Sequence, residues 1–467
     1  MSANKIIRLF LGIFLYLLSF ALLLFIFVPD PGKDVTPPDD THYTVTFDTE
    51  NGEPDKSVTV LAGQTVAKPD DPVRNGYEFL GWKTAKGEAW YEKITPVRED
   101  TRLIAQWKQV IYYRLTDEGA VITKYDSAVA NIILPSTVDG HEIVGIGDNV
   151  FAGKETLRSI TLPDGIRSLG KEVFKNCTGL EEVTLSDSLC YIGTDCFAGC
   201  SSLRYNNWNK CRYLGTRTNQ HFLLVMGFDA LGTSVNIASS AKIIASHAFK
   251  SFTKLSSVNL PSELRHIGAY AFYNCALTEL SLPKEITRIE NYTFYGCRIR
   301  SLTLPEGLTY IGEYAFYGMP LTAVVIPDSV TLIDKNAFAN CSSLNSVTIR
   351  ETSTLKEIEE LAFSGNGAYV TFFIPASVEK IGPLAFSRTR ITRLILDKES
   401  RLSTIGYSAN YLSSIEILFF GGTAEDWIDI KGRDNISPSY LFYYSESKPY
   451  ESGLFWHYNS LGDPVTW

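Results

Sequence analysis

The signatures of common enzyme classes are missing from these 467 residues. No nucleophile elbow, glycine-rich phosphate loop or zinc-protease helix is present. The six histidines (His42, His141, His221, His247, His266 and His457) are scattered and share no spacing. Cysteine never occurs as C-x-x-C, which removes the usual zinc ligand sets. Carboxylates pair only where no cleft is implied, as at Glu359-Glu360 on an outer turn. Basic residues are not in excess either: 43 Lys and Arg against 52 Asp and Glu leave a formal charge of −9. A nucleic-acid partner would need the opposite balance. The sequence therefore predicts no catalytic residue, no bound metal and no cofactor.

Charge is also absent from Leu9–Val28, twenty residues apolar on every face. As a helix this run spans about 30 Å, the thickness of a hydrocarbon core. It is longer than a signal-peptide core, and no small-residue cleavage site follows it. We read it as an uncleaved anchor, so residues 1–28 form a cytoplasmic tip and transmembrane helix. Lys5 and Arg8 precede the run, and by the positive-inside rule the N-terminus stays inside and the bulk of the chain is extracytoplasmic. With four Pro and four Asp, residues 29–42 read as a solvated, semi-rigid linker. The chain shows no L-P-x-T-G sorting motif, which leaves anchoring to this N-terminal helix.

Residues 43–108 read as a small β module. Tyr43–Phe47, Ser57–Leu61 and Thr101–Trp107 alternate as strands, and Asn51-Gly52 marks a turn. So short a unit needs its aromatic residues for a core, and Trp82, Trp90 and Trp107 read as filling rather than ligand platform. The pieces V-T-F-D at Val45–Asp48, G-Q-T-V at Gly63–Val66, G-Y-x-F-x-G-W at Gly76–Trp82 and L-x-A-x-W at Leu103–Trp107 resemble the Listeria–Bacteroides repeat, the B-repeat of internalin-type surface proteins. That resemblance implies a β-grasp-like fold and a spacer or weakly adhesive role.

The rest of the chain repeats itself. Residues 255–341 carry one frame four times, L-x-x-L-x-L-P-x-x-[LIV]-x-x-I-x-x-x-A-F-x-x-C. The marker Phe recurs at 151, 174, 197, 249, 272, 294, 316, 338, 363 and 386, mostly every 22 or 23 residues. Such a period signals a solenoid whose coils cannot bury their apolar sides alone. Each coil is expected to supply one short strand, such as Leu302–Leu304, ended by a Pro that cannot donate to a ladder. The I-G-x-x-A-F segment then folds back as a convex turn. Some eleven coils at about 4.8 Å each give a body about 50 Å long. The hairpin around Asp117-Glu118-Gly119 is placed to cap the first coil. Together these features predict a mainly β chain, a solenoid with a short parallel sheet.

The L-x-L-P and I-G-x-x-A-F signatures resemble the BspA-type leucine-rich repeats of bacterial surface proteins, over roughly residues 130–420. The resemblance implies a right-handed leucine-rich-repeat solenoid over 109–420 and contact with extracellular ligands. Cys177, Cys200, Cys275, Cys297 and Cys341 stand three residues after the marker Phe, where Phe252, Met319, Lys154, Asn366 and Thr389 stand in other coils. The interchange with Phe and Met reads as a buried apolar slot in most coils. Cys190, Cys196 and Cys211 lie off the row, and a disulfide among them stays open.

Ligand-contact candidates follow from register. Thr161, Thr184, Asn236, Asn259, Ser281, Thr303, Val325, Thr348, Phe373 and Ile395 are expected to point outward on the concave side. The first six are small and polar. Val325, Phe373 and Ile395 make an apolar stripe that needs a cover, and the aromatic-rich tail, residues 421–467, is the expected one. Between Phe197 and Phe249 the interval is 52 residues, and 203–235 read as a hairpin projecting from the array, with Trp208, Tyr213 and His221 as further contact candidates. Ile415–Phe420 reads as the last strand, followed by a capped helix from Thr423 and a terminal cap. The function expected is recognition of an extracellular protein or glycan. A purely structural envelope spacer is the alternative, and an enzyme the remote one.

Overall fold

The computed structural model describes residues 41–91, 95–228, 232–409, 415–450 and 453–467. The expected anchor at 9–28 and most of the linker lie outside the described residues. Among the described residues no helix is long and apolar enough to cross a membrane. The chain divides after Lys108 into two units.

In the first unit β1 (His42–Asp48), β2 (Lys56–Leu61), β3 (Tyr77–Thr84) and β4 (Thr101–Gln109) form one sheet in the order β2-β1-β4-β3. β1 pairs antiparallel with β2 and parallel with β4. Strand alternation turns Val45, Phe47, Leu103 and Ala105 to one buried face. Phe47 meets the edges of Trp82 (5.1 Å) and Trp90 (6.0 Å), while Trp107 Nε1–H donates to Thr49 O at 2.9 Å. The three tryptophans are core, and the sheet order is that of a β-grasp. Among its described residues this unit holds no helix.

The second unit stacks coils joined by three ladders rather than one. The first ladder holds the L-x-L strands, such as Ser159–Thr161 paired parallel with Glu182–Leu185. A second ladder is made of two-residue strands, from Arg288–Ile289 through Tyr310–Ile311 and Leu332–Ile333 to Thr404–Ile405. The sequence reading assigned this segment wholly to the convex turn. Two residues contain too little alternation for periodicity to show, but they are enough to form a rung. Glycine after the Ile lets the backbones close up: a Cβ at Gly382 would stand 2.6 Å from the Glu359 carbonyl carbon.

The third ladder runs through the turns. In the regular coils, residues two before, at, and two after the marker Phe donate N–H groups to the next coil. Phe272, Phe294 and Phe316 donate to Thr293, Ala315 and Ala337 at 3.0, 2.9 and 2.8 Å. The flanking positions take left-handed backbone, as at Tyr292 (φ 59°), Tyr314 (φ 54°) and Gly296 (φ 67°). A bulky residue avoids that region unless its surroundings impose it. Here the coil-to-coil bonds impose it. The Phe rings stack inside this ladder at 5.1–6.0 Å from Phe249 to Phe386.

Two further expectations need correction. Leu302–Leu304 is not a strand, although Leu302 and Leu304 are buried and Thr303 faces out. The strand ladder lapses over two successive coils, at Leu280–Leu282 and Leu302–Leu304. Single bonds carry the stack across it, such as Arg298 N–H to Leu277 O at 2.8 Å. Nor is Ile415–Phe420 the last strand. Tyr440–Tyr444 and Phe455–Tyr458 continue the ladder in parallel, and Pro464–Thr466 closes it antiparallel. The intervening helix, Ala424–Asp429, starts on the expected capping box: Thr423 Oγ1 accepts from Asp426 N–H, and Asp426 accepts from Thr423 N–H.

Candidate functional site

The strand ladder fixes where the outward candidates stand. Thr161 lies opposite Thr184, Asn236 opposite Asn259, Val325 opposite Thr348 and Phe373 opposite Ile395. Asn236, Asn259, Ser281, Thr303 and Thr348 are exposed, and Thr161 and Thr184 are half-buried. Ile133 stands opposite Thr161 and is 81% exposed, so the row begins with an apolar residue that the sequence reading missed.

At the far end the apolar stripe is shut. Ile395 is buried together with Phe419 and Trp456, and Phe373, Tyr444 and Tyr458 pack around them. Trp456 reaches this place because its strand joins the ladder, and its Nε1–H donates to Phe420 O at 2.8 Å. The tail thus covers Phe373 and Ile395, while Val325 stays 47% exposed. The face presents polar side chains in the middle coils and a closed aromatic end.

The insertion holds the expected hairpin, Asn206–Trp208 exposed and antiparallel to Cys211–Thr216, but its longer strands join the ladders instead of projecting. Cys211–Thr216 pairs parallel with Glu182–Leu185 in the first ladder, turns, and returns as Leu223–Gly227, which pairs with Ile243-Ile244 in the second. Tyr213 is therefore core rather than contact: it is fully buried, and its hydroxyl accepts from Ala238 N–H at 3.2 Å. The alternation of Cys211 and Tyr213, both buried, was the available signal. Trp208 remains 40% exposed, near the half-buried His221 with ring centres 6.2 Å apart.

The insertion also splits the interior into two clusters, one from Val110 to Ala245 and one from Cys211 to Ile436. Where they meet, a cleft of about 320 Å³ opens on the turn side, lined by Phe197, Gly199, Tyr205, Val225, Met226 and Ser246. On its rim Asp195 faces His247 at 3.3 Å. Burial holds His247 below its ordinary value, and Asp195 pulls the other way. His266 pins the halves together through a 3.1 Å bond between Nε2 and Ile192 O, and burial lowers its pKa to about 4. No cluster of three or more His, Cys, Asp or Glu side chains suited to a metal exists among the described residues.

All eight cysteines are free. The row cysteines do more than fill space, because each thiol donates to the marker carbonyl of the coil before. Cys177 reaches Phe151 O at 3.0 Å and Cys341 reaches Phe316 O at 3.2 Å; Thr389 makes the same bond to Phe363 O at 2.9 Å. Burial pushes the Cys341 thiol up to about 12, so it stays protonated and able to donate. Beside this row the turns carry six tyrosines in two stacks, Tyr270–Tyr292–Tyr314 and Tyr273–Tyr295–Tyr317, with ring centres 4.6–4.7 Å apart. The inner faces of each stack are spent on neighbouring rings, and His247 stacks on Tyr270 at 4.9 Å.

Comparison with known proteins agrees with this architecture. The model of the BspA-type leucine-rich-repeat region matches residues 125–221, 230–342 and 311–427 in six copies, and that of the Listeria-Bacteroides repeat domain matches 43–106. Internalin H of Listeria monocytogenes is 34% identical over 125 residues, 25% of this chain and 22% of that protein. A putative Gly-rich membrane protein of Evansella cellulosilytica is 28% identical over 110 residues, 22% of this chain and 13% of its own length. The chain thus spans less than a quarter of either relative. A leucine-rich cell surface protein of Faecalibacterium prausnitzii is 23% identical, with a TM-score of 0.33 over 69% of this chain and 96% of that one. By the repeat match, which spans more than half its length, the chain belongs to the BspA-type leucine-rich-repeat proteins and carries one Listeria-Bacteroides repeat.

Proposed function

We propose that the chain is a membrane-anchored cell-surface protein that recognises an extracellular protein or glycan through the strand face of its repeats. One observation carries this reading. Asn236, Asn259, Ser281 and Thr303 stand exposed on that face while Phe373 and Ile395 of the apolar stripe are covered by the chain's own tail. A face that only had to be soluble would suit any polar residues. A row of short amides and hydroxyls offers donors and acceptors at small entropic cost, which suits hydrogen bonding to sugar or peptide. Anchoring rests on the charge-free run at Leu9–Val28. The test is an array of glycans and extracellular proteins probed with residues 41–467. Saturable binding lost in both Thr303→Arg and Ser281→Arg supports the reading, and binding that survives both overturns the strand face as its seat.

A further inference from the structure

In a regular coil the turn hands three N–H groups to the next coil. Glu172, Phe174 and Asn176 donate to Thr194, Cys196 and Ala198 carbonyls at 2.9, 2.8 and 2.7 Å. By the same register Asp195, Phe197 and Gly199 should donate to Ser246, Ala248 and Lys250. The pattern fails there. Asp195 N–H donates to the Ser246 hydroxyl at 2.9 Å instead of a carbonyl. Ala248 O is taken by Gly227 N–H, at the end of the inserted strand, at 3.0 Å. The N–H groups of Phe197 and Gly199 meet no acceptor among the described residues, and both residues line the cleft.

The ring stack breaks at the same point. Phe174 and Phe197 stack at 5.3 Å, as do Phe249 and Phe272, but among the described residues no ring stacks on Phe197 from the Phe249 side. Phe228, in the inserted coil, lies under the Arg212 guanidinium at 5.1 Å instead. The cleft thus combines two backbone donors, spaced two residues apart, with an apolar wall of Tyr205, Val225 and Met226. Phe197 is buried and Gly199 is exposed at the cleft mouth, so the two donors form an open ladder edge, and a backbone segment is what this ladder accepts everywhere else.

We propose that this cleft binds a peptide segment of a partner protein. Two of its carbonyls, flanking one residue, accept from Phe197 and Gly199, and the side chain of that residue enters the gap in the Phe stack. The occupant is apolar at the central residue and small before it, as Ala271-Phe272 is within the chain's own ladder. The proposal is independent of the strand face.

The probe is a fluorescent peptide of residues 268–274, GAYAFYN, titrated into the full chain and followed by anisotropy and amide hydrogen exchange. Saturable binding is expected, with exchange over residues 193–203 slowed about tenfold or more at saturation. Met226→Trp fills the cleft and is expected to weaken binding about tenfold or more. Met226→Glu, at a 40% exposed position, does the same should the larger residue misfold. Thr303→Arg leaves peptide binding unaltered, which separates this site from the strand face. No saturable binding overturns the proposal. So does protection of 193–203 before peptide is added, whether the chain itself closes the cleft or a second copy does so with rising protein concentration.

Discussion

The coils from Phe249 to Phe386 and the junction between Phe197 and Phe249 use the same repeat letters with different results. In the regular run every turn passes its N–H groups to the next, and the rings close into one stack. At the junction an inserted strand takes one acceptor, and a cleft opens where the stack should continue. Repetition therefore satisfies the backbone from within and offers little to a partner along the turns. The irregular coil is where backbone groups are left over. In a solenoid, stability belongs to the repeated letters, and binding groups are supplied by side chains between them and by breaks in the count.

The comparison is broken most strongly by removing a ring. Phe316→Ala takes a fully buried ring from between two stacked neighbours and is expected to cost about 3–5 kcal/mol. Phe197→Ala, with one stacked neighbour and the cleft on its other side, should cost roughly half as much. Urea unfolding followed by tyrosine and tryptophan signals checks this. Equal losses would mean that the two environments do not differ.

A somewhat smaller effect concerns the pin across the junction. His266 is buried and its pKa is lowered to about 4 in the folded chain, whereas an unfolded imidazole titrates near 6.5. Its contribution is fully present above about pH 6.5 and is lost as pH falls toward 4, on the order of 3 kcal/mol in all. His266→Gln, which retains a side-chain donor toward Ile192 O, is expected to flatten that part of the pH–stability curve. Urea midpoints at pH 7 and pH 4.5 for both proteins make the test. The same acid loss in the variant would assign the dependence to other groups.

What the sequence showed and hid follows from the length of each signal. The marker Phe, the L-x-L-P strands and the buried Cys row recur at fixed intervals, so coil number and register could be counted. Covering of Phe373 and Ile395 by the tail was legible because an apolar stripe lay close in sequence to an aromatic segment. The second ladder was hidden because its strands are two residues long. The turn ladder was hidden because left-handed Tyr270, Tyr292 and Tyr314 break the preference of their residue type, and only bonds to the next coil hold them there. The donor role of the Cys slot could have been inferred from Thr389, which offers a donor but not an apolar surface. For the junction, a 52-residue interval pointed to the place. That Gly227 takes the carbonyl of Ala248 is a fact of tertiary structure, and no local pattern encodes it.

Amide hydrogen exchange on the full chain without added ligand tests the central claim most directly. The account predicts that the amides of Phe197 and Gly199 exchange on the order of a hundredfold faster than those of Phe316 and Gly318, their equivalents in the regular run. Equal protection at the two places would contradict it, since the turn ladder would then run unbroken through the insertion.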